Sequence, residues 1–277
     1  MFEHMQNSAE KKLKFETISL PGGDEMICCP ERGGIIVSVK ILGKEILYLE
    51  EDTLYDASKN VRGGVPVLFP NAGPIPDTFK NTELGGLEQH GFARQQEWIW
   101  RKKENGVEMI LHANPQTRKV YPYGFTFSQF SGFAKDGSFE IKNTVENPDT
   151  ERGMPVSFGL HPYFRVSNER KKDIKFDFPG GDYVIKNFDK WANGKSISID
   201  NPLVPLEVAI PGVGNLVFNI SPEYKRIWVW SMPGKDFICI EPVMRDKGGI
   251  ISNPEMVKPD SKYSAKMNIK LREDKSV

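Results

Sequence analysis

Short apolar runs are the feature that most limits how this chain can fold. They are rich in Val, Ile, Phe, Trp and Thr, and Gly, Pro, Asn and Asp interrupt them repeatedly. Clear examples are residues 34–42, 96–102, 107–113, 125–134, 138–146, 214–220, 225–231, 236–242 and 262–271. Such runs predict about 17 strands, and their turn spacing is typical of β-sandwiches and β-barrels.

The sequence offers little that favours helices. Only residues 50–60 (EEDTLYDASKN) are predicted to hold a short helix, because no other segment sustains apolar residues at i, i+3, i+4 and i+7. Doubly wound α/β folds need a helix between successive parallel strands, so this pattern disfavours them.

The predicted strands are of two kinds. Phe139 and Ile141 alternate with charged residues, as expected for an antiparallel strand with one wet face. Residues 227–230 (IWVW) are apolar on both faces and must be covered on both sides. We therefore predict an all-β fold of large stacked antiparallel sheets with few short helices. It is expected to form one domain over residues 13–277, after a flexible tail at residues 1–12.

The composition limits which classes of binding partner and which cellular compartment are expected for this chain. The chain has 277 residues, and 37 Lys and Arg balance 37 Asp and Glu, which argues against nucleic acid or an anionic membrane surface as a partner. No apolar run is long enough to span a membrane, and the N-terminus does not resemble a secretory signal. The three cysteines are sparse and odd in number, which favours reduced thiols and a cytoplasmic location. Neither they nor the four scattered histidines have zinc-ligand spacing, so no metal is expected.

Two segments concentrate hydrogen-bond donors. Arg62 stands beside paired glycines, where backbone can approach a ligand, although an arginine at a solvated turn is the simpler interpretation. Gln89, His90 and Arg94 lie within six positions of one another. They can face one ligand only if the segment bends, which Gly91 permits. A surface loop explains this second segment about equally well.

Two further residues combine a titratable group with apolar neighbours. His161 lies in the run FGLHPYF, and Pro162 restricts it to extended geometry, which suits a strand end. A buried histidine is more often structural, but its pKa suits proton transfer. Glu241 follows the run FICI, and a carboxylate there is costly to bury unless it is paired. Pro242 is expected to end the strand at this point.

Taken in order, four motifs resemble the aldose 1-epimerase (galactose mutarotase-like) superfamily, and most of all its hexose-6-phosphate mutarotase, or glucose-6-phosphate 1-epimerase, branch. The motifs are RGGVPVLFP at 62–70, QHGFAR at 89–94, HPYF at 161–164 and EP at 241–242. Each is weak alone, but the ordered set spans about two thirds of the chain and is fairly specific.

The resemblance implies a β-supersandwich that interconverts the α and β anomers of a small-molecule sugar or sugar phosphate. It implies no cofactor or metal, and a monomer is expected. By analogy, Glu241 is the general base for the anomeric hydroxyl and His161 is the general acid for the ring oxygen. The implied substrate contacts are Arg62, Gln89, His90 and Arg94.

The resemblance leaves some matters open. Family members place an aspartate on the sugar hydroxyls, and three residues compete for that role here: Asp182, Asp189 and Asp200. Alternative functions are a mutarotase for free aldoses such as glucose or galactose, or a non-catalytic carbohydrate-binding β-sandwich. His161 and Glu241 together favour an enzyme over the binding module.

Overall fold

Antiparallel strands dominate the structure, a computed structural model that describes residues 13–272. The predicted tail at residues 1–12 lies outside the described residues. The twenty strands of the described part are β1 (Glu16–Ser19), β2 (Glu25–Cys29), β3 (Ile35–Ile41), β4 (Lys44–Glu45), β5 (Val67–Leu68), β6 (Ile99–Lys103), β7 (Gly106–His112), β8 (Thr126–Phe133), β9 (Phe139–Asn147), β10 (Met154–Val156), β11 (Gly159–Leu160), β12 (Tyr163–Arg165), β13 (Lys175–Asp177), β14 (Ile197–Asp200), β15 (Leu206–Ile210), β16 (Gly214–Ile220), β17 (Arg226–Trp230), β18 (Phe237–Val243), β19 (Glu255–Val257) and β20 (Ser261–Arg272). The prediction of an all-β chain is confirmed.

The helices are few and short. They are α1 (Glu51–Tyr55), α2 (Gly181–Lys186), α3 (Phe188–Trp191) and α4 (Gly249–Ser252). The helix predicted within residues 50–60 is present as α1, but the prediction that only this segment holds a helix was wrong, because α2, α3 and α4 lie elsewhere. Val184, Phe188 and Trp191 lie at i, i+4 and i+7, but Asn187 occupies i+3, and each helix is too short to sustain the full pattern. None of the four could cross a membrane, being neither long nor apolar enough.

The strands form one large sheet, one medium sheet and two small ones. The eight-stranded sheet has the order β13-β15-β16-β20-β9-β8-β7-β6, and the medium sheet has the order β14-β17-β18-β11-β5, with β12 also paired to β18. β1 to β4 form a third sheet, and β10 pairs with β19. Every ladder between these strands is antiparallel.

The large and medium sheets share one hydrophobic core. β9 buries Phe139, Ile141 and Val145 on its inner face and turns charged residues outward, as its alternation predicts. Phe127 of β8 crosses the interface, because its ring lies 5.5 Å from that of Phe158 beside β11. The three cysteines are free and buried, in agreement with the prediction of reduced thiols.

Both apolar faces of β17 are covered, as expected, since even Trp228 on the second face is only 3% exposed. Ile227 and Val229 pack in the shared core. Trp228 and Trp230, on the opposite face, line a cavity. The second apolar face therefore forms the wall of a cavity, where the sequence had suggested an inner sheet.

β18 continues through Pro242, so the prediction that this proline ends the strand was wrong. The strand pairs with β11 at Val243 and with β12 from Cys239 back to Phe237, which leaves an interval between the two partners. Met244 donates its N–H to Phe158 on that side at 3.0 Å, and residues two apart along a strand point the same way. The nitrogen of Pro242 thus faces the interval, where no ladder partner is present to accept a hydrogen bond.

A left-handed turn fixes the segment that carries His90. His90 has φ +69° and Gly91 has φ +66°, so the predicted bend at Gly91 is confirmed. A Cβ on Gly91 would lie 2.1 Å from the carbonyl oxygen of Phe69. That oxygen accepts the N–H groups of Phe92 and Ala93 at 3.0 and 3.2 Å, which ties the turn to β5.

Phe69 anchors this region, so its loss should destabilise the fold. Its ring centroid lies between 4.4 and 6.0 Å from those of Phe92, Tyr121, Phe125 and Phe127. We expect Phe69→Ala to lower the free energy of unfolding by about 3–5 kcal/mol in urea denaturation, because the cavity cannot collapse fully. Ile99→Ala, at an exposed position of β6, should change it by less than about 0.5 kcal/mol. Equal effects of the two substitutions would contradict this assignment.

Candidate active site

A cavity of about 650 Å³ opens beside the medium sheet. This volume falls within the range typical of small-molecule sites, about 300–1,000 Å³. Its wall includes all six side chains singled out from the sequence, namely Arg62, Gln89, His90, Arg94, His161 and Glu241. Segments separated by as many as 179 positions (241 minus 62) thus converge on one pocket.

His161 and Glu241 meet at the interval in the pairing of β18. His161 lies between β11 and β12, as Pro162 predicted, and its backbone N–H donates to Pro66 at 3.0 Å. Its Nε2 is 3.7 Å from Oε2 of Glu241. The imidazole stacks on the ring of Tyr163 with a centroid separation of 4.7 Å. Only 7% of His161 and 2% of Glu241 are exposed, so both titratable groups are desolvated.

Burial favours the neutral form of each partner. It raises the pKa of Glu241 well above its usual value. It also lowers the pKa of His161 well below its usual value, and the nearby His90, Arg94 and Arg62 lower it further. The pair therefore favours one proton held on the carboxyl group, with an unprotonated imidazole beside it. The site thus provides one proton donor and one acceptor facing the same space.

His90 is fixed as a neutral hydrogen-bond donor. Its Nδ1 accepts the backbone N–H of Gly73 at 3.0 Å, and its own backbone N–H donates to the Gly73 carbonyl at 3.1 Å. Burial, with Arg94 and Lys247, lowers the pKa of His90 to about 3. A neutral imidazole that accepts at Nδ1 carries its proton on Nε2. This Nε2 lies 3.2 Å from the Gln89 amide, in the wall of the cavity.

The two arginines are only partly satisfied by protein groups. Arg62 approaches Glu50 with Nε 3.6 Å from Oε2 and touches the sulfur of Met232. Arg94 donates from Nη2 to the Gln89 carbonyl at 2.8 Å, while its Nε is buried without a partner. Both guanidinium groups therefore retain donors for a bound anion.

The sequence reasoning missed two cations that also line this cavity, Lys195 and Lys247. Glu241 is the only carboxylate in the described wall, so four cationic side chains face one acidic group. Lys195 follows Gly194 at the end of a turn, and Lys247 precedes Gly248 within a turn; such placements are common on any surface. Only the tertiary structure shows that both lysines line the cavity.

None of the three candidate aspartates reaches the described wall of the cavity. Asp182 lies in α2 and Asp189 in α3, while Asp200 forms an ion pair with Arg226. Residues 194–196, between α3 and β14, line the cavity from this part of the chain.

Three side chains in the cavity could together ligate a metal. His161, Cys239 and Glu241 each offer one ligand atom, and these atoms lie within 4.8 Å of one another. Burial raises the pKa of the Cys239 thiol and of the Glu241 carboxyl. A metal bound here would therefore have to displace two protons.

Comparison with known sequences places the chain among relatives. The sequence profile described as aldose 1-epimerase matches residues 16–186, more than half of the chain. The chain belongs to the aldose 1-epimerase family. The matched range contains Arg62, Gln89, His90, Arg94 and His161, and Glu241 lies beyond it.

Two curated relatives in this family carry the name "Putative glucose-6-phosphate 1-epimerase". The one from Cenchrus ciliaris is 29% identical over 176 residues, which cover 55% of this chain and 50% of the relative. The one from Salmonella typhimurium is 30% identical over 144 residues, which cover 50% and 44%. The chain spans about half the length of the curated relatives it matches.

Solved structures resemble this aldose 1-epimerase family member over nearly its whole length. The Slr1438 protein of Synechocystis has a TM-score of 0.81 at 23% identity, covering 96% of this chain and 98% of that protein. A galactose mutarotase related enzyme from Lactobacillus acidophilus has a TM-score of 0.72 at 19% identity, covering 94% and 98%. These matches confirm the predicted galactose mutarotase-like fold, the β-supersandwich.

Glu241→Gln should stabilise the protein increasingly as pH rises. The unfolded carboxyl ionises above about pH 4.5, whereas burial keeps it protonated in the folded chain, so the wild type loses stability between these two pKa values. Glutamine carries no such penalty. We expect its advantage in urea denaturation to grow by up to about 1.4 kcal/mol per pH unit. Glu151→Gln, at an exposed position, should show no such trend. Parallel pH curves for wild type and Glu241→Gln would contradict the buried, protonated carboxyl.

Proposed function

We propose that this protein is an enzyme, a mutarotase that interconverts the α and β anomers of a hexose 6-phosphate, with glucose 6-phosphate as the first candidate. The observation that carries the proposal is the pairing of a buried proton donor and acceptor with four cations in one cavity. The names of the curated relatives support the same substrate. The cytoplasmic location and monomeric state expected from the sequence remain predictions.

The proposed reaction needs one proton shared between two groups. Glu241 takes the proton of the anomeric hydroxyl while His161 gives a proton to the ring oxygen, so the C1–O5 bond breaks and an open-chain aldehyde forms. Rotation about C1–C2 presents the other face of the carbonyl, and reclosure with reversed roles gives the other anomer. Proton count and redox state are unchanged at the end. Each such group typically contributes about 10²–10⁴-fold.

The phosphate would help to create the reactive form of the pair. Arg62 and Arg94 lower the pKa of His161 through their charge. A phosphate dianion bound to them would offset that field and favour movement of the proton from Glu241 to His161. The ring oxygen is bonded to C5, which carries the C6 phosphate arm. The geometry of the sugar therefore suits a phosphate near the arginines when His161 faces the ring oxygen.

His90 and Gln89 complete the proposed substrate contacts. The neutral His90 can donate from Nε2 to a sugar oxygen without competing for the reacting proton, since burial lowers its pKa to about 3. The neighbouring Gln89 amide can donate or accept. Neither role requires a cofactor.

The two alternatives fit the cavity less well. A mutarotase for free aldoses would use the same pair of residues. Its substrate, however, has no anionic group that the excess of cations over carboxylates could bind. A non-catalytic sugar-binding module would have no use for two desolvated titratable groups, because burying them costs stability.

Removing either proton-transfer group should abolish catalysis. Glu241→Gln keeps the shape of the side chain without its basicity, and His161→Asn removes the acid. We expect anomer exchange above the spontaneous rate, measured by exchange NMR on glucose 6-phosphate, to fall by about 10²–10⁴-fold in each variant. Sugar binding, measured by calorimetry, should persist. Near-wild-type exchange in both variants would refute the assignment.

The arginines should matter more for the phosphorylated sugar than for the free one. In the double variant Arg62→Gln, Arg94→Gln, the absence of each charge-assisted hydrogen bond should cost about 1.5–3 kcal/mol, or roughly tenfold to a hundredfold in kcat/KM. We expect that decrease with glucose 6-phosphate and a much smaller one with glucose. Arg165→Gln, an exposed control, should leave both unchanged. Equal decreases for the two sugars at an unchanged Tm would favour the free-aldose alternative.

A further inference from the structure

The imidazole of His161 is held by ring contacts and not by hydrogen bonds. Within residues 13–272, its buried Nδ1 makes no hydrogen bond to another residue. Its Nε2 lies 3.7 Å from Glu241, which is longer than a normal hydrogen bond. A functional histidine is usually oriented by the hydrogen bond that its second nitrogen makes. Another contact must therefore fix the plane of this ring.

Tyr163 supplies the face-to-face contact that the described structure gives this imidazole. The two rings are nearly parallel, at 7°, with centroids 4.7 Å apart. Residues two apart in an extended segment point to the same side, with Cα atoms about 6.5 Å apart, so the two rings lean together. His90 and Trp230 meet the imidazole at steep angles instead, 68° and 84°, with centroids 5.4 and 5.7 Å away.

Tyr163 is itself held on several sides. Its backbone N–H donates to the carbonyl of Gly64 at 2.9 Å, and its own carbonyl accepts the N–H of Tyr48 at 2.9 Å. It lies opposite Cys239 in the β12–β18 ladder. Its ring packs on Phe237 with centroids 4.8 Å apart, and only 6% of the residue is exposed. The tyrosine ring is therefore a fixed surface against which the imidazole packs.

We propose that Tyr163 is a positioning residue for the proposed mutarotase reaction, whose ring face keeps the His161 imidazole in the orientation that brings Nε2 towards Glu241 and the cavity. This inference rests on the proposed function. Stacked aromatic rings attract each other beyond the effect of their buried area. Catalytic groups must be held within about 0.5 Å of their productive geometry, and a misplacement of about 1 Å can cost about a hundredfold in rate. Tyr163 lines the same cavity but takes no part in the proton transfer itself.

Two substitutions separate the ring face of Tyr163 from its hydroxyl group. Tyr163→Leu removes the face, so we expect kcat for anomer exchange to fall by about tenfold to a hundredfold, with little change in KM. The factor should be the same for every sugar that the wild type accepts, because the phosphate is not involved. Tyr163→Phe keeps the face and should retain a kcat near the wild-type value. Equal losses of kcat in Tyr163→Phe and Tyr163→Leu would overturn the proposal, since the hydroxyl group would then carry the effect.

Phe164→Leu is the matched control. Phe164 is the next residue of β12 and points to the opposite face of the strand, where it is fully buried with its ring 5.2 Å from that of Phe218. We expect Phe164→Leu to lower Tm, as Tyr163→Leu does, but to keep the wild-type kcat at a temperature where both variants are folded. The same loss of kcat in both leucine variants would show that Tyr163 acts only through stability, against the proposal.

Crystal structures of the variants test the positioning role without an activity assay. In Tyr163→Phe, we expect one orientation of the His161 imidazole, with Nε2 still about 3.7 Å from Glu241. In Tyr163→Leu, we expect the imidazole to turn or to occupy more than one rotamer. That result supports the positioning role even if the wild type exchanges no anomers, in which case only the proposed function fails. An unmoved imidazole in Tyr163→Leu would refute the role of Tyr163 and leave the mutarotase assignment intact.

Discussion

The desolvated pair of His161 and Glu241 is the constraint on which the cavity depends. Two ionisable groups 3.7 Å apart and almost fully buried are costly in a protein interior, and hydrophobic residues of similar volume would often serve stability better. The sheet nevertheless places them side by side, because both partners of β18 stop pairing at this point. The free-energy cost of burying ionisable groups is confined to these two positions, and the neighbouring strands can bury ordinary apolar side chains.

The charges around the pair explain how a chain with zero formal net charge can offer an anion a basic cavity. Four cations line this small space, and only one carboxylate lies among them in the described wall. Attraction at such a site is local, so it persists at ionic strengths that would screen a diffuse surface field.

Much of the fold could be predicted from the periodicity of apolar residues, which indicates the buried face of a single strand. The alternation of Phe139 and Ile141 predicted the inner face of β9 correctly, and the extended geometry before Pro162 placed His161 between strands. Periodicity failed where short helices break the pattern, as at Val184 and Trp191. The prediction from sequence also failed at Pro242. The rule that proline ends a strand takes no account of the neighbouring strands, and here no strand pairs with β18 on the side that the proline nitrogen faces. The cavity lysines could not be predicted for a related reason, since a lysine near a turn faces water in most folds and only the tertiary structure shows that these two line a cavity.

Pro242 has a consequence for hydration of the cavity. Any other residue at this position would present an amide proton to an interval that offers it no backbone acceptor, and an ordered water molecule would be the natural substitute. Such a water would lie beside His161 and Glu241, where it could compete for the proton that the proposed reaction moves or attack the proposed open-chain carbonyl. A residue without an amide proton removes the need for it. Pro242 therefore removes one backbone group that would need an ordered water at this point of the cavity.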